Sequence, residues 1–267
     1  MNKVFSSMLA CVCVSVCVMG KDIGGDARML SVDYAGKQRC SYLAEYTSQG
    51  SFKQKETVSK KSTAIRCMLS MKRKDVKKLD IRVDSVSITS DMFDEKIRAK
   101  IRQTLVESPL SVSFARGYPS LDSATPAPGA GYLPWDLNRQ LFKLLPALPE
   151  HPVKQGFTWE RTITAPLQTQ RGSVSCETYR CYTLKRLQND TATVTWKFTF
   201  SASKKTEGSD ALKEIPVSGA GNGTAVIDLR NRCIISATMD FTTPVASIGD
   251  LTVSWTERAE FILLDCK

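Results

Sequence analysis

Alternating apolar and polar residues dominate this chain, and a period of two is typical of β-strands that bury one face. Turn-forming residues separate these stretches, which predicts a mainly β fold made of antiparallel strands. The predicted strands cover residues 39–47, 62–70, 80–89 and 110–114 in a first half, and residues 157–165, 174–187, 191–201, 223–229, 233–241 and 251–264 in a second half.

Two local signals refine the strand pattern. Asn189-Asp190 lies between two predicted strands and predicts a tight hairpin. Within residues 80–89 the apolar face shifts at Val86 and Ile88, which predicts a β-bulge or a change of strand partner there.

A helical spacing interrupts the strands over residues 91–108. Its apolar residues recur every fourth position, Asp91 can cap the N-terminal end, and Pro109 ends the stretch. The same residues also alternate in polarity, so a strand is the competing interpretation, but the caps and the length favour a helix. A second short helix is predicted over residues 136–145, before Pro146.

The predicted organisation has four parts: a leader (1–20), an N-terminal strand-rich half (21–123), a Pro/Gly-rich linker with its short helix (124–152) and a C-terminal antiparallel half (153–267). Both halves show long strands, a charged excursion and a short strand that ends at a turn. We therefore expect curved antiparallel sheets or a half-barrel, with two pseudo-repeated halves as one option and one or two short helices.

The first twenty residues resemble an export signal. Lys3 is followed by an uncharged apolar run, and small residues at Val18 and Gly20 suit cleavage before Lys21. Two stretches ending at Cys11 and Cys17 resemble lipid-attachment boxes, so a lipid anchor is the alternative to simple cleavage. An exported protein of the periplasm or outer envelope is expected.

Six of the nine cysteines follow the predicted leader, an even number that suits disulfide bonds in an oxidising compartment. In a hairpin, facing residues lie at equal distances from the turn. This predicts a Cys233–Cys266 bridge about a turn at residues 249–250 and, more loosely, a Cys40–Cys67 bridge about the Lys-rich turn near residues 53–54. Cys176 and Cys181 remain as a third pair, which requires the backbone between them to bend.

The composition limits the possible functions but does not select one of them. Hydrophobic residues make up 42 % of the chain, enough for a core, and the formal net charge of +10 favours either solubility or an anionic surface such as a membrane. Nucleic acid is not an expected partner of an exported protein. The residues proposed for contact with an anionic surface are Lys72, Arg73, Lys74, Lys77 and Lys78.

No catalytic signature is present in the sequence. His151 is the single histidine, so it alone could serve the common nucleophilic sites, and no C-x-x-C or phosphate-binding loop occurs. We therefore expect a protein that is not an enzyme and that holds no metal or cofactor.

Two segments carry a family resemblance. The first is a hinge with Pro146, Leu148, Pro149, Pro152, Val153, Lys154, Gly156 and Trp159; the second is a strand–turn–strand with Gly221, Gly223, Asp228 and Ile234. Together they resemble a family of uncharacterised bacterial exported proteins, although Phe157 replaces the usual Asp and the cysteines are additional. The resemblance implies an envelope protein, often a lipoprotein, and transfers no catalytic residue.

A looser likeness in architecture is to lipoprotein carriers that hold an acyl chain in a half-barrel. Two functions follow as hypotheses. The first is a carrier that binds a lipid or another apolar ligand in a curved sheet, with its basic residues meeting a membrane. The second is a structural or interaction protein that docks another envelope component.

Overall fold

The chain folds around one large antiparallel sheet. The computed structural model describes residues 26–33, 39–75, 78–107, 110–115, 118–121, 144–169, 172–203, 218–248 and 251–267. They form β1 (Cys40–Gln54), β2 (Thr57–Asp75), β3 (Lys78–Ser90), α1 (Glu95–Glu107), β4 (Leu110–Ala115), β5 (Tyr118–Leu121), β6 (Thr158–Thr169), β7 (Gly172–Gln188), β8 (Thr191–Ser203), β9 (Ser218–Asp228), β10 (Cys233–Ile248) and β11 (Leu251–Cys266).

The sheet consists of two meanders, β1–β5 and β6–β11, which meet where β1 pairs with β11. Its strand order is β5-β4-β3-β2-β1-β11-β10-β9-β8-β7-β6, and every neighbouring pair is antiparallel. The first strand of the first meander, β1, pairs along its whole length with the last strand of the second, β11. The sheet is curved and unclosed, with β5 and β6 at its edges, so the predicted mainly β class with curved antiparallel strands is confirmed.

The two faces of the sheet differ in chemistry, as expected for an antiparallel sheet with one solvated side. On the outer face, exposed ion pairs join neighbouring strands, as in Arg66–Glu45 (3.0 Å) and Arg258–Asp240 (3.5 Å). On the inner face, apolar side chains are buried on nine adjacent strands. They include Ile81, Val83 and Ile88; Ile65, Leu69 and Met71; Tyr42, Ala44 and Tyr46; Ala259 and Phe261; Ala237, Met239 and Phe241; Ala225 and Ile227; Val194, Trp196 and Phe198; Tyr182 and Leu184; and Trp159.

Three described segments join this inner face in one core. Helix α1 contacts β3 and buries Ile101 and Leu105. Leu30 and Val32 come from the segment before β1, and the segment before β6 contributes Leu144, Leu145, Ala147, Leu148 and Val153. The last two segments are joined by a short antiparallel bridge between Arg28 and Val153.

Helix α1 forms within the predicted stretch but starts later than expected. Asp94, not Asp91, caps it, because the Asp94 carboxylate accepts a hydrogen bond from the Ile97 N–H (2.8 Å). Asp91 instead accepts hydrogen bonds from the backbone and hydroxyl of Ser62 (2.6 and 3.2 Å).

Two other local predictions have clear outcomes. The Asn189-Asp190 hairpin forms, with Gln188 opposite Thr191. The register of β3 against β2 shifts at Asp84, slightly before the predicted position, and this bulge carries the apolar parity from Val83 to Val86. The leader, the linker at 124–131 and residues 136–143 of the second predicted helix lie outside the described residues.

The observed disulfide joins Cys40 to Cys266, so the predicted Cys40–Cys67 and Cys233–Cys266 bridges are wrong. The β1–β2 turn lies at Lys55-Glu56, two residues beyond the predicted centre, so Cys40 faces Met71 and Cys67 faces Ala44. Ile248 faces Leu251, in agreement with the predicted centre of symmetry, but a register shift between Thr243 and Ala246 moves the rest of β10 and β11 out of the predicted alignment.

The third predicted bridge fails because the backbone does not bend. Strand β7 keeps a continuous register with β6 from Cys176 to Cys181. Cys181 is a free thiol and is half-buried.

Candidate functional site

The inner face is the candidate binding surface, and its β6–β8 side is aromatic. Trp159, Tyr182 and Trp196 occupy directly opposite positions on β6, β7 and β8. Ring centroids lie 5.3 Å apart for Trp159–Tyr182 and 6.0 Å apart for Tyr182–Trp196. These rings form a continuous apolar floor.

Glycines on β9 make room for further rings. A Cβ atom on Gly223 would lie 2.2 Å from the Trp196 ring, and one on Gly221 would lie 2.5 Å from the Phe198 ring. Gly219 is similarly covered by the Phe200 and Phe241 rings. Bulky aromatic side chains can therefore lie against the β9 backbone, which only glycine permits at these approach distances.

A polar row crosses the inner face on the other side of the sheet. Ser90, Thr63, Ser48 and Glu257 occupy directly opposite positions on β3, β2, β1 and β11. We call these four residues the polar row. Thr63 and Ser90 share a hydrogen bond (2.7 Å), and both are buried together with Ser48.

Glu257 is the charged member of the polar row. It is half-buried and accepts a hydrogen bond from the Trp255 indole N–H (3.0 Å). It also interacts with Tyr46, whose pKa is raised by burial first and then by the negative charge of Glu257. Tyr46 therefore stays protonated, as a neutral hydroxyl beside a carboxylate.

Among the described residues, the Trp196 indole nitrogen on the inner face is buried without a hydrogen-bond partner, and the residue is 2 % exposed. In a native core most buried polar groups form a hydrogen bond, and a buried group left without one costs about 1–3 kcal/mol. Such atoms are candidates for contact with a bound molecule.

Two arginines of the inner face lie on β6 and β7, in line with the polar row across the strands between them. Arg180 on β7 faces Arg161 on β6, and Arg180 is buried although it carries a charge. The Arg180 guanidinium donates to the Tyr182 hydroxyl (3.4 Å) and lies 5.9 Å from the centre of the Phe198 ring. Phe198, Gly221 and Phe241 lie in line between Arg180 and Glu257, so a cationic side and an acidic side are separated by aromatic rings on one surface.

The hinge segment is fastened to the aromatic floor by Ala147. Its carbonyl accepts a hydrogen bond from the Trp159 indole N–H (2.7 Å), and its N–H donates to the Tyr182 hydroxyl (3.3 Å). Gly156 then turns the chain into β6 with a φ of 88°, in the left-handed region that favours glycine. The hinge motif therefore has a structural role, because it holds the segment before β6 against the aromatic floor.

The strand–turn–strand motif is also structural. Gly221 and Gly223 lie under aromatic rings, and Ile234 is buried. The Asp228 carboxylate accepts a hydrogen bond from the Asn231 N–H in the turn after β9. Burial alone would raise the pKa of Asp228, but hydrogen bonds from Asn231 and the Arg230 backbone lower it below its ordinary value.

A shallow groove lies on the outer face. Its volume is about 600 Å³, and Tyr179, Thr199 and Ala220 lie on neighbouring strands along it. Tyr179 is 39 % exposed there. The groove is open to solvent and lined mainly by small side chains.

The residues predicted to contact an anionic surface lie at the β2–β3 turn. Lys72 and Lys74 are exposed, while Arg73 donates to the Asp75 carbonyl (3.1 Å) and Lys72 faces Asp80. Lys77 lies outside the described residues. The lysines near the β1–β2 turn, such as Lys60, are roughly 45 Å away along β2 at ~3.3 Å per residue, so the basic residues form two separate patches.

The remaining chemistry-bearing residues lie apart from one another. The thiol of Cys67 is buried, and burial raises its pKa to about 12, so it is inert as a nucleophile at neutral pH. His151 lies edge-on to Phe157, with ring centroids 5.4 Å apart. Within the described ranges, no group of three or more His, Cys, Asp or Glu residues could hold a metal ion.

Sequence reasoning missed the inner-face site. The polar row combines residues from four strands, and its members are far apart in the chain. The alternation signal identified which residues are buried, but only the strand register shows that these four share one line.

Comparisons with known proteins give a match to one family model over part of the chain. Residues 136–234, which contain both motifs, match DUF6263, a family of unknown function. No curated protein sequence matches the chain. Among the described residues, no helix is long and apolar enough to cross a membrane.

Similar solved structures include the following two. One, described as lipid–protein interactions in lipovitellin, aligns with a TM-score of 0.52 at 12 % identity, over 86 % of this chain and 25 % of that chain. The chain thus spans about a quarter of the lipovitellin chain, and the likeness is one of fold alone. The translocator domain of the autotransporter NalP from Neisseria meningitidis aligns at a TM-score of 0.25 and 6 % identity, over 86 % of this chain and 90 % of that chain. This likeness is too weak to indicate a shared fold.

Proposed function

We propose that the protein is a non-enzymatic exported envelope protein that binds a lipid or another apolar ligand on the inner face of its curved sheet. The carrying observation is the asymmetry of the sheet. Nine strands present a continuous aromatic and aliphatic inner face, with a few polar atoms set into it, while the outer face carries ion pairs. Ligand sites for apolar molecules combine these same two elements.

The fold comparison adds support of a limited kind. A sheet of similar fold belongs to a structure described in terms of lipid–protein interactions. At 12 % identity this transfers no residue and no ligand, so the proposal depends on the chemistry of the inner face. The non-enzymatic part depends on the sequence, where His151 is the single histidine.

Lipid extraction and native mass spectrometry of the purified full chain test the binding proposal. We expect copurified lipid, or uptake of oleate after lipid removal. Phe200→Gln, which places a polar group at the half-buried margin of the inner face, should weaken oleate binding several-fold. Thr199→Gln, its neighbour on the outer face, is the matched control and should bind normally.

A protein that is free of lipid, takes up no oleate and does not bind liposomes at low salt would refute the binding proposal. Export is tested separately. N-terminal sequencing of the mature protein should begin at Lys21 after simple cleavage, whereas a lipid-modified cysteine at the N-terminus would show anchoring.

A further inference from the structure

The β1–β2 hairpin ends in a surface that carries both positive charge and exposed apolar side chains. We propose that this end, residues 51–61, which we call the hairpin tip, docks on the surface of an anionic membrane. The proposal goes beyond the binding of an apolar ligand. It places membrane contact at the end of β2 opposite the one that holds Lys72 and Lys74.

The hairpin tip projects from the sheet. Strand β2 pairs with β3 only as far as Thr63, opposite Ser90, whereas its pairing with β1 continues to Thr57. Residues 57–61 therefore extend roughly 15 Å past β3, at ~3.3 Å per residue. On its other side β1 stays paired with β11 up to Gln54. The tip is thus held by a neighbouring strand and can reach a flat surface before β3 does.

The net charge of the hairpin tip is positive. Its charged residues are four lysines and one glutamate: Lys53, Lys55, Lys60, Lys61 and Glu56. The first three lysines are exposed and form no ion pair with the described residues. Lys61 is half-buried and donates to the Asp91 carbonyl (3.2 Å). Each lysine close to an anionic bilayer strengthens binding about fivefold.

Apolar side chains accompany these lysines. Val58 is 54 % exposed and lies opposite Lys53. Phe52 lies edge-on to Trp255 of β11, with ring centroids 6.0 Å apart, and both residues are half-buried. Aromatic rings beside lysines are typical of surfaces that lie at the boundary between lipid head groups and acyl chains. The apolar component therefore favours a membrane over a soluble polyanion as the partner.

The β2–β3 turn lacks this combination. Lys72 and Lys74 are exposed there, but Lys72 faces Asp80. Among the described residues of that turn, no large apolar side chain is exposed. The two ends of β2 therefore carry similar lysines with and without apolar neighbours, which makes one a natural control for the other.

The hairpin tip is continuous with the inner face. Trp255 lies opposite Gly50, two residues along β1 and β11 from the pair Ser48 and Glu257. A docked tip would therefore hold one end of the inner face against the bilayer, where an apolar ligand can be exchanged. This last step depends on the proposed function, whereas docking itself does not.

Co-sedimentation of the purified full chain with vesicles tests the proposal. Vesicles of phosphatidylglycerol and phosphatidylcholine in equal parts should bind the protein at low salt. Vesicles of phosphatidylcholine alone should bind it at least about tenfold more weakly, because they offer no net negative charge to the lysines. Added salt should weaken binding to the anionic vesicles, since it screens the same charges.

Two double variants locate the electrostatic contact. Lys53→Gln combined with Lys60→Gln should weaken binding to the anionic vesicles by about tenfold or more. Lys72→Gln combined with Lys74→Gln removes the same charge from the other end of β2 and should weaken binding less than about twofold. All four side chains are exposed, so urea unfolding should show unchanged stability in both variants.

A pair of valine variants tests the apolar contact. Val58→Gln should weaken binding to the anionic vesicles several-fold, because the valine side chain no longer leaves water for the bilayer. Val106→Gln, on α1, is the matched control, since Val106 is 48 % exposed and lies outside the tip. It should bind the vesicles like the wild type.

Three results would overturn the proposal. They are equal binding to both kinds of vesicle, equal losses in the two double variants, and full binding by Val58→Gln, which would make the tip a site for soluble polyanions such as heparin. Oleate uptake is measured in parallel. Vesicle binding without oleate uptake would support docking and count against the apolar-ligand proposal, and oleate uptake without vesicle binding would do the reverse.

Discussion

The Trp196 indole lies directly over Gly223, so closely that a Cβ atom there would lie 2.2 Å from the ring. Trp196 is 2 % exposed and is flanked by the Tyr182 ring, so it cannot move aside cheaply. The glycine is therefore required by packing, and its backbone needs no unusual φ.

Gly223→Ala should consequently destabilise the protein by about 2–3 kcal/mol, the usual cost of overpacking a filled core. Urea unfolding followed by tryptophan fluorescence measures the change. Asn222→Ala, its neighbour on the outer face of β9, is the control and should cost less than about 1 kcal/mol. Equal costs for the two variants would show that the ring does move.

The hydrogen bond between the Ala147 N–H and the Tyr182 hydroxyl gives a second prediction. Tyr182→Phe leaves a buried N–H without its acceptor and should cost about 1–3 kcal/mol. The loss should be local, so the Ala147 amide should exchange hydrogen faster than amides in β8. Tyr179→Phe, on the outer face of the same strand, is the control. An unchanged exchange rate at Ala147 would show that the Tyr182 hydroxyl does not hold this segment.

Much of the fold follows from the alternation of the sequence, because burial of alternate residues is a local property. The Asn189-Asp190 turn fixes the pairing of β7 with β8, since it leaves two residues between the strands. The β3 bulge was also visible, because it moves apolar residues to the other parity.

The pairing between β1 and β11 could not be predicted in the same way. No turn connects these strands, so nothing local sets their register, and the Cys40–Cys266 contact depends on that register. For hairpins, one bulge or a displaced turn changes which residues face each other. This is why the equal-distance argument failed for Cys67 and Cys233.

The disulfide offers a third prediction. Non-reducing peptide mapping should recover Cys40 linked to Cys266, the bond that joins β1 to the neighbouring β11. Its sequence separation of 226 residues is large, so Cys266→Ser should lower the free energy of unfolding by about 3–5 kcal/mol.

The control for the disulfide is Cys181→Ser, because Cys181 is a half-buried free thiol. It should leave the mapped linkage intact and cost less than about 1 kcal/mol. Recovery of a Cys40–Cys67 or Cys233–Cys266 peptide would refute the assignment directly.

The last prediction concerns pH and the turn after β9. Asp228 accepts hydrogen bonds from the Asn231 N–H (2.8 Å) and the Asn231 side-chain amide (2.7 Å), which outweigh burial and lower its pKa below the ordinary value of an aspartate. Because the folded-state pKa is the lower one, the stabilisation is fully present above pH ~5 and is lost as the pH falls through that folded value. Asp228→Ala should cost about 1–2 kcal/mol at pH 7.

That difference between wild type and Asp228→Ala should shrink as the pH falls through the lowered pKa of Asp228, because the wild-type carboxyl then becomes protonated. Urea unfolding at pH 7, 4 and 2.5 measures it. Asp240→Ala removes an exposed aspartate whose ion pair with Arg258 spans 3.5 Å, and it should change stability by less than about 1 kcal/mol at every pH. A constant penalty for Asp228→Ala across the series would mean that Asp228 acts through packing and that its charge is irrelevant to the turn.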